Sequence, residues 1–402
     1  MQLEAFDNTE VAFRHKSDRA LTKAYWMFKL IAFSWMVSIG KRMVDLALAL
    51  RLPIHWALRW NVFEHFCGGE TIEACQVTTK ALDQHGVGTI LDFSVEGKES
   101  DADFARSFEE ILETADTAAG NAHIPFCVFK VSGIARHALL QEVSEGATLS
   151  KTAQAEFDTV RERVDAICKR AADGGTYVLI DAEESWIQQA IDDIALAMIR
   201  AYNRERVVVF NTYQLYRHDR LAVLTRDLDA ARDEGFHLGA KLVRGAYMEK
   251  ERDRAEEKGY PSPIQPDKAA TDRDFDAALA LSVERIDHMA VCVGTHNERS
   301  SATMTTLMAE RGIEKSDPRV YFAQLLGMSD HISFNLAAHG YNVAKYVPYG
   351  PLREVVPYLI RRAEENTSVA GQTGRELQLI QDERARRAAA RAGTAGRSAT
   401  GA

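Results

Sequence analysis

Residues 343–366 read VAKYVPYGPLREVVPYLIRRAEEN, which is a β-rich run, a Pro/Gly turn and a helical pattern in that order. Adjacent guanidinium groups repel each other unless an anion lies between them, and a carboxylate matches their fork of donors. The segment therefore predicts a β-α unit whose helix binds an anion; the alternative is a solvated basic face paired with neighbouring glutamates. Four side chains share this helix face because they are spaced by three, four and seven residues: Tyr358, Arg361, Arg362 and Glu365.

The same order of a β-rich run and a helical pattern recurs along the chain. Nearly continuous apolar runs are typical of parallel strands that are covered on both faces. Eight such units predict an α/β protein, a (β/α)8 barrel with an N-terminal helical arm. A doubly wound open sheet would show the same alternation, so the number of units carries the choice. The predicted strands are 88–93, 126–131, 177–181, 207–210, 238–243, 290–294, 320–323 and 343–347.

The two ends of the chain differ in composition from its centre. The predicted organisation is a helical arm (1–85), a catalytic barrel (86–375) and a C-terminal helix end with a disordered tail (376–402). Ala385–Ala402 has almost no large apolar residues, which predicts disorder. Ala24–Trp60 reads as one or two amphipathic helices that pack on the barrel or contact a membrane surface.

Composition excludes several classes of protein. The 58 acidic and 49 basic residues give a net charge of −9, which argues against nucleic-acid binding. The five cysteines are odd in number and lack CxxC spacing, so neither a disulfide framework nor a metal site is predicted. The first ten residues lack the basic-then-apolar order of a signal peptide. A cytoplasmic protein is expected.

Polar residues follow most of the predicted strands. In a barrel, the carboxyl ends of all strands open on one face, where the active site forms. Taken singly, each residue is equally well explained by a helix cap or a rim salt bridge. Their concentration predicts a site, and the cations among them predict an anionic ligand. They are Asp92, Glu96, Lys130, Asp181, Glu183, Asn211, Gln214, Lys241, Arg244, Thr295, His296, Asn297, Gln324 and Tyr346.

Several motifs, in a fixed order from about Phe13 to about Gly374, resemble those of the FAD-dependent proline dehydrogenases. The chain lacks the long aldehyde-dehydrogenase half of the bifunctional relatives, so it is most similar to the monofunctional members. The resemblance implies a distorted (β/α)8 barrel. The motifs are GGE at 68–70, LDFSVEG at 91–97, KVS at 130–132, IDAEE at 180–184, TYQ at 212–214, KLVRGAY at 241–247, THN at 295–297, QLLGM at 324–328 and the segment 346–366.

The resemblance implies how L-proline is held. Several cations on one carboxylate make a strong clamp, and phenol rings give the substrate ring an apolar wall. Relatives that act on 4-hydroxyproline tend to have a smaller residue at the position of Tyr346, so proline is expected to be preferred. The implied contacts are Lys130, Arg361 and Arg362 for the carboxylate, Tyr346 and Tyr358 for the ring, and Glu96 for a lid that pairs with Arg361.

The resemblance also implies the FAD site. No GxGxxG follows a strand, so this is not a Rossmann site. Lys241 is expected near the flavin N5 edge, with Asp181 as its electrostatic support. Arg244, Gly245 and Ala246 are expected at the pyrophosphate. The remaining implied cradle residues are Ala182, Gln214, Val243, Tyr247, Thr295, His296, Asn297, Gln324 and Glu365.

The implied reaction is transfer of a hydride from proline C5 to FAD N5, giving Δ1-pyrroline-5-carboxylate in the first step of proline catabolism. Electrons would then pass to a quinone, which gives the amphipathic region a use at the inner face of a membrane. Two alternatives stay open: a hydroxyproline dehydrogenase, and a cofactor-free (β/α)8 lyase that uses Lys130 or Lys241 as a Schiff-base amine. A non-catalytic binding or scaffold protein would not need so crowded a strand-end face.

Overall fold

Eight parallel strands close into a barrel in which each strand pairs with its neighbours in chain order, and β8 pairs with β1. The structure is a computed structural model that describes residues 6–31, 63–94, 100–368 and 372–399, with the backbone alone described at 30–31, 361–368, 372–373 and 393–399. The strands are β1 Val87–Phe93, β2 Phe126–Lys130, β3 Tyr177–Asp181, β4 Val209–Gln214, β5 Leu238–Val243, β6 Met289–Gly294, β7 Val320–Leu325 and β8 Val343–Tyr349.

The predicted barrel is confirmed, and β3 and β5 have the predicted bounds. β4 differs, because the strand is Val209–Gln214 rather than 207–210. Two of its buried polar side chains find hydrogen-bond partners within the protein. Asn211 donates to Asp192 at 3.0 Å, and the Thr212 hydroxyl donates to the carbonyl of Ile180 at 2.7 Å. Buried polar groups with partners can continue a strand that an apolar pattern would end.

Helices alternate with the strands and cover the outside of the barrel. Side-chain caps mark several of their starts: Ser100, Ser150 and Asp267 each accept a hydrogen bond from an amide three residues further on. The helices are α1 Thr9–Phe13, α2 Asp18–Ile31, α3 Glu64–Phe66, α4 Ile72–Asp83, α5 Asp101–Ala118, α6 His137–Ser144, α7 Lys151–Gly174, α8 Ser185–Tyr202, α9 Arg220–Glu234, α10 Met248–Lys258, α11 Lys268–Glu284, α12 Glu298–Arg311, α13 Asp330–Ala338, α14 Leu352–Ser368 and α15 Gln372–Ala399.

The C-terminal segment is a helix, so the expected disordered tail is wrong for Ala385–Ala399; residues 400–402 lie outside the described chain. Alanine and arginine are good helix formers, and composition alone does not separate a helix from a disordered segment rich in both. Glu383 is buried and pairs with Arg386 and Arg387, one turn further along the helix. Arg387 also donates to the carbonyls of Phe13 and Lys16, both at 2.9 Å. These contacts fix α15 on the N-terminal helices.

The N-terminal arm is helical as far as it is described. Ala24 to residue 31 lies in α2, and residues 32–60 of the predicted amphipathic region lie outside the described chain. Within the described ranges, no helix combines the length and the apolar content that crossing a bilayer requires. Trp26 is 54% exposed, and the Lys29 ammonium lies 5.0 Å from the centre of its ring. The domain limits at 85 and 375 stay predictions.

A buried charge cluster joins the arm to the barrel. Lys345 of β8 is fully buried, and its ammonium lies 2.8 Å from Asp330 and 2.7 Å from the carbonyl of Met328. Lys16, between α1 and α2, reaches the other Asp330 oxygen at 2.9 Å. Burial opposes ionisation of Asp330, but Lys16 and Lys345 hold the pKa of the carboxyl well below its usual range. One carboxylate therefore compensates two cations.

We expect Asp330→Asn to lower the free energy of unfolding by about 3–5 kcal/mol, because it leaves two lysines without a buried counter-charge. Urea unfolding measures this. The matched control is Asp173→Asn, which breaks an exposed pair with Lys169 whose side chains are 64% and 65% exposed. The control should change stability by about 0.5 kcal/mol or less. Equal losses in the two variants would contradict a stabilising role for the buried cluster.

Candidate active site

The alternation of side chains along each strand brings the predicted site residues together. Side chains of alternate strand residues fill the barrel interior, among them Ile90, Val128, Leu179, Phe210 and Ala344. On six strands, the next residue that points the same way, towards the carboxyl end, is polar or aromatic. These residues are Asp92, Lys130, Asp181, Thr212, Lys241 and Tyr346. The apolar floor of the barrel therefore carries a polar layer.

Lys241, Asp181 and Tyr346 form a connected group in this layer. The Lys241 ammonium donates to a carboxylate oxygen of Asp181 and, at 2.7 Å, to the phenol oxygen of Tyr346. The phenol in turn donates to Asp181 at 3.4 Å. Burial, with the nearby Asp181 charge, raises the pKa of Tyr346 well above its usual range, so the phenol stays neutral. The three residues make a fixed donor set from three strands that are far apart in the sequence.

Lys130 lies beside this group. It pairs in register with Asp181 across β2 and β3, and a turn of 3-10 helix, Val131–Gly133, follows it. Glu183 holds this turn by accepting from the amide of Ser132 at 3.0 Å and from its hydroxyl. Burial raises the pKa of Glu183 to about 7, although the contacts from Ser132 and the charge of Lys130 lower it. The sequence places Glu183 among the polar residues at the strand ends, within IDAEE after β3, but it does not indicate the contact with Ser132.

The predicted clamp and lid are described in part. Glu96 lies outside the described residues, as do the side chains of Arg361, Arg362 and Glu365, whose backbone is in α14. Tyr358 is buried in an apolar cluster that includes Phe66, Met328 and Leu359. Most members of this cluster belong to α1, α2, α14 and α15. The roles predicted for these residues stay predictions.

Arg244, directly after β5, is held by protein groups on several sides. Its guanidinium donates to Asp272 at 2.9 Å, to the Thr295 hydroxyl at 2.8 Å and to the Ser300 hydroxyl at 3.0 Å. It also lies 4.3 Å from the centre of the Phe275 ring. Arg244 therefore links the end of β5 to α11 and α12. A fixed cation at this edge suits a phosphate group.

The residues around Arg244 fit a flavin dinucleotide. Gly245 has φ 137°, and a Cβ there would lie 2.4 Å from the Tyr216 ring. Only glycine lets the backbone approach this ring so closely. Gln214 is buried, and its amide oxygen has no hydrogen-bond partner within the described ranges. A buried acceptor of this kind suits a polar ligand group. Four more predicted cofactor residues lie at the carboxyl ends of β3 and β5: Ala182 after β3, and Val243, Ala246 and Tyr247 at or after the end of β5.

The residues after β6 and β7 are tied to one another. Asn297 caps α12 by accepting from the amide of Ser300 at 3.1 Å. Gln324 donates to the Thr295 carbonyl at 3.1 Å and accepts from Ser333 at 2.8 Å, so its side chain links strand ends to α13. These two predicted cofactor residues therefore have structural roles. Their direct contact with a cofactor stays a prediction.

Comparison with known proteins identifies the family. The proline dehydrogenase family model matches residues 75–375. The chain belongs to the proline dehydrogenase family. Its members are flavin-dependent oxidoreductases that act on proline in the first step of proline catabolism, which confirms the predicted family, fold class and enzyme class.

Individual relatives support the family and its fold. A hydroxyproline dehydrogenase from Xenopus laevis is 32% identical over 412 residues, covering 93% of this chain and 88% of the relative. Human mitochondrial proline dehydrogenase 1 is 46% identical over 222 residues, or 54% of this chain and 37% of the human protein. The barrel is similar to proline utilization A from Bdellovibrio bacteriovorus, with TM-score 0.71 and 18% identity over 90% of this chain and 38% of that one. This chain thus matches well under half of the last two proteins.

Glu183 makes a prediction for the pH dependence of stability. Its pKa is raised from 4.5 to about 7 in the folded protein, so the stability it contributes at low pH is lost as the pH rises through 7. Relative to the wild type, Glu183→Gln should therefore gain about 2–3 kcal/mol of unfolding free energy between pH 5 and pH 8. Urea unfolding at the two pH values measures the change.

Asp317 is the control. Its carboxylate accepts hydrogen bonds from Arg319, which lower its pKa although burial opposes this, so it stays ionised in this range. The stability difference between Asp317→Asn and the wild type should be constant between pH 5 and pH 8. A constant difference for Glu183→Gln as well would show that Glu183 is ionised throughout.

Proposed function

We propose that this chain oxidises L-proline to Δ1-pyrroline-5-carboxylate with FAD as its cofactor. The observation that carries the proposal is the buried group of Lys241, Asp181 and Tyr346 inside the barrel of a proline dehydrogenase. When bound, FAD supplies the acceptor, at N5, of the hydride that leaves proline C5. The proline ammonium first loses one proton to solvent, and the electron pair of the neutral amine then forms the C5=N bond as the hydride leaves. The resulting protonated imine gives its remaining N–H proton to solvent to form the product.

The residues of the chain bind and orient the substrate. Lys130 lies beside Asp181 in the strand register, which supports a role for its ammonium in binding the substrate carboxylate. By family resemblance, Arg361 and Arg362 complete the clamp. A cluster of cations favours the neutral amine over the ammonium form of bound proline. The electron pair needed for hydride loss is then available.

Lys241 is better suited to an electrostatic role than to a Schiff base. Its side-chain nitrogen is already engaged by the oxygen atoms of Asp181 and Tyr346, whereas a Schiff base requires a free amine. The buried position fixes the charge at one point of the mouth. We assign Asp181 and Lys241 as the catalytic residues through this placement, with Lys241 at the edge of the flavin. The lyase alternative is not favoured.

Proline is favoured over 4-hydroxyproline, although one relative is named a hydroxyproline dehydrogenase. The Tyr346 phenol is anchored to Lys241 at 2.7 Å and to Asp181 at 3.4 Å, so it cannot swing away without breaking both contacts. A bulky fixed ring crowds a substrate that carries an additional hydroxyl. Specificity therefore follows from the same group that supports catalysis.

We expect anaerobic L-proline to bleach the visible flavin band of the FAD-loaded protein, while trans-4-hydroxy-L-proline leaves it largely unchanged. Lys130→Met should raise the proline concentration for half-bleaching by roughly 10- to 100-fold, because a hydrogen bond to a charged group is lost. Lys169→Met, at a side chain that is 64% exposed on α7, is the control. A protein that binds FAD but is not reduced by proline would contradict the proposal.

We propose that the electrons pass to a membrane quinone and that the N-terminal arm makes a peripheral membrane contact. The exposed Trp26 and the neighbouring Lys29 have the aromatic and cationic character of residues at membrane interfaces. All five cysteines are free and buried, which suits the reducing cytoplasm on the inner side of a membrane.

Vesicle co-sedimentation tests the membrane contact. Trp26→Ala should lower the fraction bound to anionic vesicles by roughly fivefold, the effect of about 1 kcal/mol of apolar burial. Tyr260→Ala removes another partly exposed aromatic ring, 37% exposed, and should leave binding unchanged. Reoxidation of the reduced protein by a soluble quinone measures the acceptor separately. Equal vesicle binding by all three proteins would contradict the contact through Trp26.

A further inference from the structure

Ser329 has a backbone conformation that serine rarely adopts. Its φ of 50° and ψ of 43° lie in the left-handed region, and it is the one non-glycine residue with positive φ in the part of the chain that the structure describes. It is also fully buried. A side chain crowds the backbone in this region, whereas glycine adopts it freely. A serine in this strained conformation therefore suggests that its hydroxyl has a function.

Neighbouring groups hold Ser329 in this conformation. Its amide donates to the carboxylate of Glu376, a buried residue of α15. Its carbonyl accepts from the amide of Ser333 at 3.1 Å. The next residue is Asp330, which is fixed by Lys345 and Lys16. The connection between β7 and α13 is thus held by both terminal regions of the chain.

The Ser329 hydroxyl is hydrogen-bonded to Nδ1 of His296 at 2.9 Å. His296 follows β6, between Thr295 and Asn297, in the predicted FAD cradle. A hydrogen bond at one ring nitrogen fixes the orientation of an imidazole. The contact with Ser329 therefore sets the plane of the His296 ring and with it the direction of the other nitrogen, Nε2.

We propose that Ser329, held by Glu376, is a positioning residue that orients His296 towards the phosphate or ribose groups of the flavin dinucleotide. The inference rests on the proposed function, because it takes FAD as the ligand at these strand ends. The left-handed serine supplies a hydroxyl at a place that glycine could occupy with less steric conflict. A purely structural turn would gain from that glycine.

Ser329→Gly separates the two explanations. It keeps the backbone and the amide that Glu376 binds, and removes the hydroxyl. We expect the melting temperature of the apoprotein to be unchanged or higher. We expect the dissociation constant for FAD, measured by titrating the apoprotein and following flavin fluorescence, to rise about fivefold, as for one lost hydrogen bond.

A double-mutant cycle with His296→Ala tests the route of the effect. If Ser329 acts through His296, Ser329→Gly should leave the FAD dissociation constant unchanged in the His296→Ala background. Ser282→Ala is the control, since it removes a buried hydroxyl, bonded to the Ala278 carbonyl at 2.7 Å, within α11. This control should leave FAD binding at the wild-type value.

The outcomes are distinguishable. Wild-type FAD affinity in Ser329→Gly, or the same fivefold loss in both backgrounds, would overturn the positioning role. A lower melting temperature of the Ser329→Gly apoprotein would also overturn it, because the hydroxyl would then mainly support the turn. A wild-type protein that binds no FAD would instead overturn the proposed function.

Discussion

The two-residue alternation of strands in a closed barrel is the constraint on which the site depends. It directs Asp181 and Lys241 into the same interior although β4 separates their strands. The residue between them in the strand register is Thr212, whose hydroxyl turns back to the Ile180 carbonyl at 2.7 Å. Because this side chain is short and bonded to the backbone, the Lys241 ammonium can cross β4 and reach Asp181. Burying that ammonium is tolerable only because Asp181 and Tyr346 replace its water.

Strand residues whose side chains point out of the barrel have a different role from those that point into it. Lys345 precedes Tyr346 in β8, so its side chain points out of the barrel interior. On the outer side of the strand its ammonium lies 2.8 Å from Asp330. Asp330 begins α13 and is also bound by Lys16 of the N-terminal arm. Tyr346 in the polar layer of the barrel and its neighbour Lys345 thus connect the site to the terminal regions of the chain. The N-terminal arm and α15 support the mouth of the barrel through this connection.

The sequence predicts those features that depend on local periodicity. Strand number and order follow from apolar runs, and Lys130, Asp181, Lys241 and Tyr346 follow from their places at strand ends. The sequence predicts a C-terminal helix end but not its continuation over residues 385–399, because Glu383 and Arg387 of this helix obtain partners from far along the chain, including Thr9 and Phe13. The left-handed conformation of Ser329 has no signal in a single sequence. It depends on Glu376 and His296, which lie on other elements. These features depend on tertiary contacts, which cannot be predicted from the spacing of residues in one sequence.

The contacts of Arg244 refine the role expected for it at a pyrophosphate. A guanidinium has five N–H donors on three nitrogens. In Arg244 each nitrogen already donates to a protein group: one to Asp272, one to Thr295 and one to Ser300. Asp272 also balances the charge of Lys268, and although burial opposes ionisation, the two cations lower the pKa of its carboxyl. Arg244 therefore offers an arriving phosphate part of its charge and few of its donors. Its rigidity is the compensating advantage, because a side chain that is already ordered loses little conformational freedom on binding. For the proposed pyrophosphate contact, the backbone amides of the adjacent Gly245 and Ala246 are therefore better hydrogen-bond donors than Arg244.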